Sequence, residues 1–333
     1  MKENSILSCL YGQAIGDAMG MPSELWPRSR VRSYFGKIDT FLPGPEENVA
    51  ASGFRAGEFT DDTSLCIASM DALREAGGKI VPELLAKHIL RWAKSIGAFE
   101  KNILGPSSKS SLTALERGLS LEEIEANGVT NGAAMRIAPI GCLIPSKDKG
   151  FFVEQVRLAC IATHKSDIAI AAAVSIAWAI SRIIDFANWT DVKSEVVILA
   201  DEVQRKYEST FSPLLGKRIA YALSGVAGKD EEEGLRFIYE ELGAGMDCIE
   251  SIPASFALVE LTKTQPEKCA ILAANLGGDT DTIGAMATAI CAAINPDSAF
   301  IKEKMHFINS VNNIDFAPYA NELERWRIGY LEA

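Results

Sequence analysis

Apolar residues recur at three- and four-residue spacing along most of the chain, which is the period of a helix buried on one face. The pattern predicts helices near 4–20, 62–76, 81–97, 111–118, 151–163, 167–187, 192–207, 213–225, 231–242, 252–262, 266–275 and 281–294. Two-residue alternation, the mark of a half-buried strand, is scarce. The Ala-rich stretches Ala169–Ala179 and Ala285–Ala293 carry side chains small enough for close helix packing. The expected fold is therefore all-α, a compact helical bundle forming one domain over 1–333, with no Ser/Gly-rich linker.

Breaker-rich loops separate these segments. The 36–59 stretch holds Gly36, Pro43-Gly44-Pro45, Gly53 and Gly57, and further loops run from Gly97 to Ser111, Asn127 to Gly132 and Gly243 to Gly245. Long loops in a compact helical domain commonly carry function.

Composition narrows the classes. At 333 residues, with 48% hydrophobic and 23% charged positions, the chain can bury a large core. A net charge of −11 without a basic run excludes nucleic acid as the expected partner. Three histidines, His88, His164 and His306, are too few for a His-rich zinc or iron site. Seven cysteines form no C-x-x-C pair and sit in apolar surroundings, as buried thiols in a reducing compartment do. No apolar signal-peptide core follows Lys2 and Glu3, and the Ile168–Ile180 run is short for a bilayer span. The expectation is a cytoplasmic protein without membrane association.

The candidate chemistry lies in two acidic clusters, Thr60-Asp61-Asp62-Thr63 and Asp279-Thr280-Asp281-Thr282, each just ahead of an apolar helical pattern. One reading makes both of them helix starts, since Asp and Thr cap well and acids favour the positive helix end. The other brings the clusters together, so that four carboxylates share one volume and need neutralising. Oxygen-only donors select hard cations, and four carboxylates formally balance two divalent ions. Two such clusters, one framed by Gly277-Gly278 and Gly284, favour the metal reading.

Other motifs are weaker alone. Gly12-x-x-x-Gly16-Asp17-x-x-Gly20 leads to Pro22-Ser23-Glu24, so Asp17 and Glu24 are candidates to face a cleft, while the glycines also suit packing. Asn127-Gly128-Val129-Thr130-Asn131-Gly132, continuing to Arg136, offers backbone amides to a phosphate or is an ordinary turn. Arg136 itself suits either a phosphate contact or burial against a carboxylate. His164, just before a long helix, is a cap or packed side chain more readily than a general base.

As an ordered set, GDAMG at 16–20, FTDDT at 59–63, NGAAMR at 131–136, THKSD at 163–167 and NLGGDTDTIGA at 275–285 resemble the ADP-ribosylglycohydrolase family. The resemblance spans most of the chain. It implies a compact all-α fold with two Mg²⁺ or Mn²⁺ ions at the base of a cleft. It also implies that Thr60, Asp61, Asp62, Asp279, Asp281 and Thr282 are their ligands. By the same resemblance, Asn127, Gly128, Val129, Thr130, Asn131 and Gly132 line the substrate loop. His164 then faces the sugar, and Met246 of Gly243-Ala244-Gly245-Met246-Asp247 lines the substrate too. Glu24 matches the acid that gates the metal site or assists catalysis, so Glu24 or Asp62 takes the proton-handling role. Two departures stand out: Leu104-Gly105-Pro106-Ser107-Ser108 replaces the family's Gly-rich substrate loop, and no aromatic occupies the adenine-stacking place.

The activity implied is metal-dependent hydrolysis of a glycosidic bond at ribose C1, on an ADP-ribosylated protein side chain or small conjugate. A metal-dependent nucleoside or nucleotide N-glycosidase is the alternative, because a smaller substrate needs no diphosphate cradle. A non-catalytic binding protein is the third reading, disfavoured by two intact acidic clusters.

Overall fold

The computed structural model describes residues 1–99 and 106–332. Among them the chain forms sixteen α-helices and no strand, with two isolated backbone bridges, Trp26–Gly278 and Thr130–Asp247. The helices are α1 Ser5–Gly20, α2 Arg28–Phe35, α3 Asp61–Glu75, α4 Pro82–Ser95, α5 Pro106–Glu116 and α6 Ala138–Leu143. Next come α7 Lys149–Cys160, α8 Asp167–Ile184, α9 Trp189–Lys206, α10 Leu215–Val226 and α11 Glu231–Phe237. The last five are α12 Cys248–Leu261, α13 Pro266–Ala274, α14 Thr280–Ile294, α15 Ala299–Asn312 and α16 Ala317–Glu332.

The α1–α14 pair is the most extensive helix contact in the molecule. Its antiparallel register is set by small residues four apart: Gly12 lies against Thr288 and Ala292, Gly16 against Gly284, and Gly20 against Thr280. A Cβ on Gly16 would stand 2.1 Å from the Gly284 carbonyl oxygen, and one on Gly284 2.6 Å from that of Gly16. No side chain fits between these backbones, so the sequence spacing Gly12-x₃-Gly16-x₃-Gly20 acts here as a packing device. It sets the C-terminal turn of α1, with Asp17, beside the N-terminal turn of α14, with Asp281.

Around this pair, α8 packs on α14 and is flanked by α6, α7, α9 and α12. One apolar cluster runs from Ile6 of α1 to Leu323 of α16, and a satellite of Leu65, Ile89, Leu112 and Met135 lies under α3, α4 and α5. All seven cysteines are buried free thiols. At 18 residues α8 is long and apolar enough to cross a bilayer, contrary to the shorter span read from the sequence, yet 94% of that stretch is buried inside the fold. Its hydrophobicity is that of a core helix.

Periodicity places most helices within a few residues, and the differences have local causes. α5 begins at Pro106, not 111, because Pro suits a first helical position. The segment 231–242 is α-helical to Phe237 and then widens into a π-helical turn over Ile238–Leu242. α2, α6, α15 and α16 were not predicted. α2 buries only Arg28 and Val31, α6 contains Pro139 and Gly141, and α16 buries an arginine, Arg327, at a core position.

Candidate active site

The fold brings the two acidic clusters into one buried volume. Thr60 precedes α3 and its Oγ1 stands 3.2 Å from Asp62 Oδ2 and 3.3 Å from Asp281 Oδ2. Reciprocally, Thr282 Oγ1 donates to Asp62 Oδ2 at 3.2 Å. Each cluster thus reaches the carboxylate of the other. The N-termini of α3 and α14 both open here, and their partial positive charge favours acidic groups.

Helix capping does not account for the carboxylates. Thr60, not an aspartate, accepts the backbone N–H of Asp62 at the start of α3. Asp279 stands at the N-cap of α14 without a side-chain capping bond, and its Oδ2 instead accepts from Asn131 Nδ2 at 2.6 Å. Asp62 Oδ1 and Asp281 Oδ1 are buried with no hydrogen-bond partner among the described residues. A buried oxygen anion without a donor is costly unless a cation or proton meets it.

The electrostatics agree. Burial, then the charges of Asp281 and Asp17, push Asp62 well above its ordinary range, and burial with Asp279 and Asp61 does the same to Asp281. Burial and Asp17 raise Asp61 to about 7. Asp279 rises only to about 6, because the Asn131 amide donates to it and the Thr282 hydroxyl lies nearby, against the effect of burial. Asp62, Asp279 and Asp281 are buried, whereas Asp61 keeps some exposure. Among the described residues no three Asp, Glu, His or Cys side chains stand grouped closely enough to hold an ion by themselves, so threonine hydroxyls or other oxygens would complete any shell. The acids line facing walls. An all-oxygen donor set, two orphaned carboxylate oxygens and mutually raised acids suit hard divalent cations.

Asp17 does not face a cleft. It is fully buried and clamps the start of α3: Oδ1 accepts from Thr60 N at 2.9 Å, and Oδ2 from Thr63 N at 3.0 Å and Thr63 Oγ1 at 2.6 Å. Burial and Asp281 still raise it to about 7 despite those three donors. Its role escaped the sequence reading, although its place directly after Gly16 in the packing motif was the available signal.

Glu24 follows the turn Met21–Ser23 and is half-buried. Burial and then Asp281, Asp279 and Asp61 raise its carboxyl well above the usual range, so it borders the acid cluster. The next two residues pair with the second cluster's approach, Leu25 N donating to Gly278 O at 2.7 Å and Gly278 N to Trp26 O at 2.9 Å. Gly278 adopts φ +85°, and a Cβ there would meet the Ala244 carbonyl at 2.1 Å. That turn delivers Asp279, whose N–H donates to the same Ala244 oxygen.

The two loops singled out for substrate contact lie side by side. Asn131 N donates to Met246 O and Cys248 N to Val129 O, both at 2.9 Å. Asn127 is exposed, Gly128, Val129 and Thr130 are half-buried, and Asn131 and Gly132 are buried. Met246 stands 42% exposed at this edge. Asn131 therefore joins the loop to the acid cluster through Asp279.

His164 differs from its expected sugar-facing place. It has no exposed surface, lies beneath Gly132, and engages Thr130 Oγ1 at 3.2 Å and Thr163 Oγ1 at 2.9 Å. Burial and then Arg136 lower its pKa to about 3, so it stays a neutral prop for the loop. Arg136 is buried too, donating to Gly132 O and to Thr163 Oγ1, and among the described residues it forms no ion pair. Of the departing segment, Leu104 and Gly105 lie outside the described residues, and Ser108 is buried near the Gly132 position.

Comparison with known proteins is consistent along the chain. It is 52% identical over 328 residues to the uncharacterised protein YegU of Escherichia coli K12, covering 98% of each. An uncharacterised Archaeoglobus fulgidus protein is 31% identical over 298 residues, 90% of this chain and 88% of that one. The ADP-ribosyl-dinitrogen reductase glycohydrolase of Rhodospirillum rubrum is 21% identical over 290 residues, 86% and 84% of the two chains. A solved structure described as an ADP-ribosylglycohydrolase-related protein complex shares the fold, with TM-score 0.66 and 22% identity over 98% of this chain and 100% of that one. The ADP-ribosylglycohydrolase family model matches residues 1–311, which contain both acidic clusters and the loops beside them. The chain therefore belongs to the ADP-ribosylglycohydrolase family, and is a hydrolase.

Proposed function

We propose that this protein hydrolyses the glycosidic bond at ribose C1 of an ADP-ribose conjugate, on a protein side chain or a small molecule, using two Mg²⁺ or Mn²⁺ ions. The observation that carries the reading is the interlock of the clusters, with Asp62 Oδ1 and Asp281 Oδ1 left without donors. Thr60, Asp61, Asp62, Asp279, Asp281 and Thr282 would hold the ions. Bound there, hard cations supply Lewis acidity, orient vicinal sugar oxygens and lower the pKa of water.

The chain's own groups do the rest. Asn131 holds the Asp279 carboxylate, while Asp17 fixes Thr60 and Thr63 at the start of α3. The Asn127–Gly132 loop, joined to Asp279 through Asn131, and Met246 beside it would take the remainder of an ADP-ribosyl group. Of the two acids considered for proton transfer, Asp62 is buried and engaged by two threonine hydroxyls, whereas Glu24 is half-exposed. Glu24 is thus the acid a leaving group reaches. Positive charge developing on the ribose ring is stabilised by the surrounding carboxylates.

The direct assay offers purified protein, with Mg²⁺ or Mn²⁺, ADP-ribosyl-arginine, ADP-ribosyl-serine, O-acetyl-ADP-ribose and a nucleoside panel. Free ADP-ribose is expected from at least one conjugate. Free ribose from nucleosides alone would replace this reading with an N-glycosidase.

The clamp can be tested separately. In Asp17→Asn an amide NH₂ confronts an N–H donor of Thr60 or Thr63, so the start of α3 must shift. Outer partners of metal ligands are worth about 10–100-fold in affinity, and a loss of that size for Mn²⁺ is expected by calorimetry. Wild-type affinity in a folded variant would reduce Asp17 to a packing residue.

A further inference from the structure

A second cleft, about 580 Å³, lies between α2 and α11 and gathers three arginines: Arg28, Arg32 and Arg236. A pocket of that volume takes a small molecule. Arg28 is buried, donating from Nη1 to Asn275 O and from Nη2 to Glu232 Oε2, both at 3.0 Å. Arg32 turns to the same Glu232, so a single carboxylate serves two guanidinium groups. The Arg236 side chain reaches the cleft, and among the described residues it makes no hydrogen bond or ion pair. Glu240 is the other acid in the lining, leaving three cations against two anions, with the Ser29 and Ser33 hydroxyls and the Tyr239 ring beside them. The lining thus carries a net positive charge in a chain of net charge −11. Burial, and then Arg32, lower the pKa of Arg28, as expected for crowded cations short of counter-charge.

We propose that this cleft binds a small phosphorylated molecule, its phosphate held by Arg32 and Arg236 with Arg28 behind them. Planar guanidinium forks match phosphate oxygens two at a time, which a lone carboxylate shared by two arginines does not exhaust. Three arginines confined to one cleft of a chain with net charge −11 favour a small anion over a nucleic-acid backbone. The cleft also shares a wall with the catalytic turn. The Arg28 backbone nitrogen fills the space 2.6 Å from where a Gly277 Cβ would stand, and its guanidinium holds the Asn275 carbonyl, just ahead of Asp279 and Asp281. The proposal stands independently of which bond the acidic centre cleaves.

Titration calorimetry of the full chain with inorganic phosphate provides the test. Saturable binding is expected in the wild type, weakened roughly tenfold or more in Arg236→Ala and in Arg32→Ala, as for loss of a charge-assisted hydrogen bond. Both arginines lie at the surface, so these variants should fold. Asp281→Asn should bind phosphate like the wild type, which separates this site from the acidic centre. No saturable binding, or binding unchanged in both arginine variants, overturns the proposal. So does binding lost in Asp281→Asn, or a single-stranded oligonucleotide bound through the same arginines more tightly than phosphate.

Discussion

Asp281→Asn should abolish hydrolysis while leaving the helical fold intact. The side chain stands where the two clusters meet: Oδ2 faces Thr60 Oγ1 at 3.3 Å, and Oδ1 is buried without a donor. Asn keeps the volume but removes the charge and places an amide NH₂, a donor, where a cation is proposed to bind. Losing an outer partner of a metal ligand costs about 10–100-fold, so losing the ligand itself should exceed about 100-fold in activity. A second readout separates this from misfolding. Ions that bind only the folded chain stabilise it, by about 2.7 kcal/mol at a hundred times Kd. Mg²⁺ or Mn²⁺ should therefore raise the melting temperature of the wild type, chelation should reverse the rise, and Asp281→Asn should show none. Wild-type turnover in this variant, with metal controlled, would sink the proposed centre.

The largest stability loss is expected from Arg327→Met, far from the acid cluster. Arg327 has no exposed surface, and its guanidinium ties α16 to α6 and α8. Nη1 donates to the carbonyls of Gly141, Cys142 and Ile144, and Nη2 to Ser181 and, at 2.7 Å, to Asp185. Methionine matches the length of the stem but removes the guanidinium donors to four carbonyls and to Asp185 Oδ1. Breaking a buried ion pair from one side costs about 3–5 kcal/mol. A loss of that size should appear in denaturant unfolding, with partial recovery in the double variant Arg327→Met/Asp185→Asn. Burial alone would raise Asp185, yet Arg327 and Ser146 hold it below its ordinary value. The bridge thus contributes fully above about pH 4 and fades as pH falls further, so the gap between the two proteins should narrow in acid. An equal gap at every pH would mean that packing, not the ion pair, accounts for the loss.

The same arginine explains a limit of pattern reading. Amphipathic periodicity finds helices whose buried stripe is apolar, as in α7 and α10. It passes over α16, whose buried positions are Ala320, Leu323 and Arg327, and α2, which buries Arg28 beside Val31. In both, a charged side chain occupies a core position and finds partners on distant elements. Within the candidate site, the acidic clusters were legible because each is a contiguous run of residues. The Asp17 clamp was not, since its partners Thr60 and Thr63 lie more than forty positions away. His164 carried a recognisable motif, but only its burial under Gly132 reveals it as a support for the loop.

The local order of residues was thus enough for the helical class, the two groups of carboxylates and the family, because helix period and short motifs are properties of neighbours in the chain. Which carboxylates meet, and which stay without donors, followed only from the approach of α1 and α14. That approach depends on Gly16 and Gly284 lying backbone to backbone, a contact between residues far apart in sequence. Glycines at 12, 16, 20 and 284 permit such a contact anywhere; packing of the whole bundle made them face each other and set Asp281 beside Thr60 and Asp62.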